Sequence, residues 1–93
     1  MQRVEQTILR HLIHTDEYSR KAFPFIQPEY FSDRCDKIVF ELISEFITKY
    51  NSLPAPEAIR ISLNERRDLA QSEYDDCVTL IREISDKPED VDS

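Results

Sequence analysis

Apolar residues recur at helical spacing along nearly the whole chain. Val4, Ile8 and Leu12 follow one another every four residues, with Leu9 and Ile13 beside them. Arg3, Gln6, Arg10 and His14 take the other side. This pattern predicts an amphipathic helix of about three turns. A short second helix follows. Thr15 or Asp16 starts it, Asp16 and Glu17 complement the dipole in its first turn and Arg20 and Lys21 in its last, and Pro24 stops it. Residues 23–31 then form a proline-punctuated stretch rich in aromatics, in which Pro28 opens a single turn. The third helix is the clearest. Ser32 or Asp33 caps it, and it runs to about Tyr50. Ile38, Val39, Leu42, Ile43, Phe46, Ile47 and Tyr50 form a very wide apolar arc, leaving a narrow polar stripe of Lys37, Glu41, Ser44, Glu45 and Thr48. Glu45 and Lys49 are placed to pair one turn apart.

Residues 51–56 read as a turn, with Pro56 at the first position of a fourth helix that holds Ala58, Ile59 and Leu63. Residues 64–71 are polar and read as loop or frayed helix. Ser72 to Asp75 resembles a capping box with Asp in place of Glu. The last helix is expected from Glu73 to about Ser85, burying Tyr74, Cys77, Val78, Ile81 and Ile84. The predicted fold is therefore all-α, a small bundle of about five helices with one central apolar helix. It occupies residues 1–85, and 86–93 is a flexible acidic linker. The expected core comprises Ile8, Leu12, Phe31, Val39, Phe40, Leu42, Ile43, Phe46, Val78 and Ile81.

Composition narrows what such a bundle does. The 93 residues contain no glycine. Phosphate-cradling loops need glycine for close backbone approach and positive φ, so ATP or NAD binding by those routes is excluded. Asn-Gly and Asp-Gly hairpins are missing too. The net charge is −7, with −3 of it in residues 86–93, and an acidic body repels a phosphate backbone. Cys35 and Cys77 form no C-x-x-C motif and read as buried, reduced thiols rather than a disulfide. No apolar run is long enough to span a bilayer, and no signal-peptide core follows Met1, so a soluble, cytoplasmic protein is expected.

No reactive constellation stands out. His11 and His14 lie one helical turn apart, but no third ligand sits at a convincing spacing, so solvated helix surface is the better reading. No nucleophile motif accompanies either histidine. Asp75 and Asp76 are adjacent and point to different faces, unlike a catalytic carboxylate pair. Arg20-Lys21 and Arg66-Arg67 lack interleaved aromatics and read as solvated charge. Catalytic, cofactor and metal residues are thus all expected to be absent. The aromatic stretch is the most ambiguous feature. Phe23 and Phe31 are expected to staple the segment to the bundle. Phe25 and Tyr30, less constrained by helical spacing, are candidate contact anchors.

The ordered combination of Val4 to Ile13, Gln27-Pro28-Glu29-Tyr30-Phe31-Ser32-Asp33, Ile38 to Ile43, Leu53-Pro54 and the Asp86 to Asp90 ending resembles a known family. It looks like the N-terminal domain of replicative hexameric DNA helicases of the DnaB type, nearest the T4-like bacteriophage form. The resemblance covers nearly the whole chain. It implies the noncatalytic head of an N-terminal collar, which helps to assemble the hexameric ring and docks primase or the helicase loader. Other helicase subunits would then be partners. Tyr18, Phe25, Glu29 and Tyr30 are the candidate partner-binding residues. ATP or GTP, with Mg, would be bound only by a separate C-terminal ATPase domain, which gives the full-length protein its NTP-dependent 5'-3' helicase activity. Beyond the acidic linker would come the family's helical hairpin. Two other readings compete: a helicase-interacting domain of a primase, disfavoured by the Met1 start, and a free-standing acidic adaptor. The adaptor calls for carboxylates in a phosphate-like array, whereas here they gather at helix starts and in the tail.

Overall fold

The longest helix described opens on an aspartate cap and closes on an asparagine in place of glycine. The computed structural model describes residues 3–88. Helix α1 spans Val4–His14 and α2 spans Asp16–Ala22. Two single 3-10 turns follow, Phe23–Phe25 and Pro28–Tyr30, each with a proline in its opening positions. Helix α3 is Arg34–Tyr50, α4 is Pro56–Asn64 and α5 is Gln71–Ile84. No strand occurs among the described residues. The all-α bundle read from the sequence is the observed fold. Of the expected acidic linker, residues 89–93 lie outside the described residues.

Asp33 caps α3, its carboxylate accepting from the Cys35 amide at 2.8 Å. At the other end Asn51 takes the left-handed conformation, φ 53° and ψ 37°, and donates its amide to Ile47 O at 2.8 Å. Asparagine tolerates this conformation better than other residues with a Cβ, so the chain closes a long helix without glycine. Helix α5 starts two residues earlier than the Ser72 box suggested. Glu73 reaches back and accepts from the Ala70 amide at 2.9 Å, fixing the start there, and it also pairs with Arg34. Ala70 has no side-chain oxygen to return the bond, so only half of a capping box forms.

Helix α3 packs against α1, α4 and α5. Its Ile38, Val39, Phe40, Leu42 and Ile43 are buried. Around them close Leu9, Leu12 and Ile13 of α1, Ile59 and Leu63 of α4, and Cys77, Leu80, Ile81 and Ile84 of α5, with Phe31 from the connecting segment. Ile8 and Val78, expected in the core, are half-buried and pack on its edge. Phe46 departs further from expectation. It is half-buried, lies outside the buried cluster and rests on Tyr50 with ring centroids 4.6 Å apart. Ser62, Glu65 and Arg66 line the same groove as Phe46, so no apolar side chain from α4 closes over it. Lys49 does not pair with Glu45; it lies 5.3 Å over the Tyr50 ring.

Helix α1 is turned relative to its expected face. Val4 is 72% exposed, whereas Gln6 and Arg10 are buried. The reason lies at the end of α5, where the last carbonyls have no partner within the helix. Arg10 donates to Glu83 O at 2.7 Å and His14 Nε2 lies 2.9 Å from Ile84 O. Gln6 reaches the Glu83 carboxylate at 3.4 Å. One helix thus caps another, with a cation at the negative end of its dipole. Arg3 makes a two-pronged contact with the fully buried Asp36, at 2.6 and 3.0 Å, tying the start of α1 to the first turn of α3. None of the described helices is long and apolar enough to cross a membrane.

Candidate docking surface

The segment between α2 and α3 is pinned at three points and displays aromatics between them. Phe31 is buried with its ring 5.2 Å from that of Phe40, and Phe23 lies 6.2 Å from the same ring. Ile26 also packs against the core. These anchors are what the sequence expected of Phe23 and Phe31. Between them Phe25 is 76% exposed and Tyr30 64% exposed, and Glu29 is exposed beside Tyr30. The backbone here is not slack. Ile26 donates to Phe23 O at 3.2 Å, Tyr30 to Gln27 O at 3.0 Å and Phe31 to Pro28 O at 3.1 Å. Pro24 and Pro28 fix two further φ angles. Large apolar groups held on a stiff segment lose little conformational freedom on binding, which favours them as anchors.

Tyr18 does not join this group. It is half-buried on α2 with its ring 5.6 Å from that of His11. Of the four residues proposed from sequence, three therefore share the segment from Phe25 to Tyr30 and the fourth packs against α1. Beside the segment runs a groove lined by Phe23, Pro24, Ile47, Thr48 and Leu53, with the Asp16–Arg20 ion pair on its rim. A second apolar exposure went unread in the sequence. Tyr50 is 56% and Ile61 62% exposed, at the end of α3 and the outer side of α4. The signal was present: an apolar arc wider than a helix can bury must surface somewhere.

The remaining candidates are engaged within the fold. His11 Nδ1 lies 3.2 Å from Thr15 Oγ1 and His14 caps α5, so the two rings have separate partners. Among the described residues no three His, Cys, Asp or Glu side chains gather as a metal site. Three of the four residues in the basic pairs meet carboxylates: Arg20 meets Asp16 at 2.7 Å, Lys21 meets Glu17 at 3.1 Å, and Arg66 meets Asp68 at 2.7 Å and Glu41 at 3.3 Å. The Arg66 hydrogen bond holds the Asp68 carboxyl down at about 2. These side chains are engaged with one another, and the exposed groups around them are apolar residues framed by charge.

The chain was also compared with known proteins. The chain is 35% identical over 85 residues to a DnaB-like replicative helicase of enterobacteria phage T4, an alignment covering 91% of this chain. The domain is thus similar to part of a DnaB-like helicase. The chain spans 18% of the length of that relative, and no family model matches it. The similarity thus extends over almost all of this chain, including the segment that carries Phe25, Glu29 and Tyr30.

Proposed function

We propose that this domain is the noncatalytic N-terminal head of a phage replicative hexameric helicase, serving ring assembly and the docking of primase or helicase loader. The observation that carries the reading is the stiff aromatic segment. Phe25 and Tyr30 are exposed on a backbone pinned by Phe23, Ile26 and Phe31, an arrangement suited to protein contact. Helicase subunits are the natural first partners, because the T4 relative is itself a replicative helicase. Nucleotide and Mg then belong to an ATPase domain outside these 93 residues, since this chain has no glycine with which to build a phosphate loop.

Sedimentation velocity tests the reading. The chain is run alone, then with the primase and with the helicase loader of the same phage, and repeated with Phe25→Ala/Tyr30→Ala. A faster-sedimenting species with either partner, lost in the double variant, is expected. A chain that remains monomeric with both partners would refute docking through this head. Complexes unaffected by the double variant would move the contact elsewhere, the exposed Tyr50 and Ile61 being the next residues to vary.

A further inference from the structure

We propose that Cys35 and Cys77 form a modification site: an oxidisable pair that closes into an intramolecular disulfide joining α3 to α5. The two thiols are 42 residues apart in the chain, yet their Sγ atoms lie 3.6 Å from one another. Both are free. Cys35 sits in the first turn of α3 and Cys77 in the middle of α5, two helices that pack directly on each other. The sulfurs need to close only to about 2.05 Å, a movement of roughly 1.5 Å that rotamer adjustment and a small helix shift can supply.

The two thiols have different access. Cys77 is fully buried, whereas Cys35 is half-buried, so a reagent meets Cys35 first. Burial and the neighbouring thiol push Cys35 well above the ordinary thiol range, and burial raises Cys77 as well. Ionisation to the attacking thiolate is therefore disfavoured at neutral pH, and oxidation accelerates as pH rises. The oxidant class that fits is a low-molecular-weight disulfide such as oxidised glutathione. Cys35 loses its proton and its thiolate attacks one sulfur of that disulfide, expelling one small thiolate. Cys77 then loses its proton and attacks Cys35 Sγ, expelling the second. The protein thiols give up two electrons and two protons, and the small disulfide is reduced to two thiols. The second step is favoured because Cys77 is held beside its target by the packed helices.

Equilibration of the 93-residue chain in buffers of reduced and oxidised glutathione, natively and in denaturing urea, tests the site. Samples are acid-quenched, alkylated and weighed by mass spectrometry. The native chain is expected to lose both Sγ hydrogens and to resist alkylation at both cysteines. It should hold the disulfide in buffers on the order of 10–100-fold more reducing than the unfolded chain tolerates. In Cys35→Ala the buried Cys77 is expected to stay unmodified under native conditions. Closure only in urea would overturn the proposal, as would a mixed glutathione adduct at Cys35 that never resolves, or native glutathionylation of Cys77 in Cys35→Ala.

Discussion

Two phenylalanines six residues apart on α3 should respond very differently to truncation. Phe40 is 2% exposed and its ring lies between those of Phe23 and Phe31, at 6.2 and 5.2 Å. Phe40→Ala removes a buried aromatic ring and leaves an enclosed cavity, at a cost of about 3–5 kcal/mol. Phe46 lines an open groove and touches Tyr50 with one face. Its loss forfeits part of that contact and some apolar burial, but water fills the space, so roughly 1–2 kcal/mol is expected. A 93-residue domain has on the order of 5–14 kcal/mol in all, so the first change removes a large share and the second a small one. Urea unfolding followed by circular dichroism resolves them. With a slope of about 1–1.5 kcal/mol/M, the two midpoints should differ by roughly 2 M. Equal midpoints, or a larger loss for Phe46→Ala, would refute the placement of α3 and restore the fully buried helix that the apolar arc suggests on its own.

Three further outcomes follow from the polar contacts. Arg10→Ala leaves Glu83 O without its charged donor at the end of α5 and should cost roughly 1.5–3 kcal/mol in thermal unfolding; a change under about 0.5 kcal/mol would show that α5 needs no cap from α1. Arg3→Ala should destabilise more than the double change Arg3→Ala/Asp36→Asn, because the single change leaves the buried Asp36 charge uncompensated; the reverse order in urea midpoints would contradict that account. Asp68 is held at about 2, below its ordinary 3.8, by Arg66. A lowered carboxyl contributes stability above its unfolded value and loses it as pH falls through the folded one. The modest advantage of wild type over Asp68→Asn should therefore be present above pH 4 and vanish near pH 2, and a gap that persists below pH 2 would rule out this ion pair as its source.

The fold was legible because its signals are local. Helical spacing located all five helices, Pro24, Pro28 and Pro56 punctuated them, and Asp33 declared the start of α3 through a contact only two residues long. What escaped was non-local. Whether Gln6 and Arg10 face water depends on the end of α5 lying within their reach, and nothing in residues 3–14 encodes that proximity. The partner of the buried Asp36 is Arg3, 33 residues earlier, a pairing that no local pattern marks. Cys35 and Cys77 read as two isolated thiols for the same reason. Phe46 was misplaced by a subtler failure. Periodicity gives the direction of a side chain but not whether a neighbour lies opposite, and Ser62 and Glu65 make that neighbour polar.

The candidate docking residues show how this limit bears on function. Phe23, Phe25, Tyr30 and Phe31 are chemically alike, and composition alone cannot divide them. Their places relative to helical spacing and the two prolines already separate them, and the geometry supplies the physical reason. Two proline-opened 3-10 turns in nine residues hold the segment too tightly for every ring to turn inward, so Phe23 and Phe31 anchor while Phe25 and Tyr30 are displayed. A small domain with one modest core has little apolar surface to spare. Displaying two aromatics on a connection held by two prolines and its own hydrogen bonds forgoes burial in the head itself. A protein partner that covers them would recover that burial with little further ordering of the backbone. The same reasoning explains why Tyr18 stands apart: its ring already has a partner in His11, and covering it would bring a second chain less new contact.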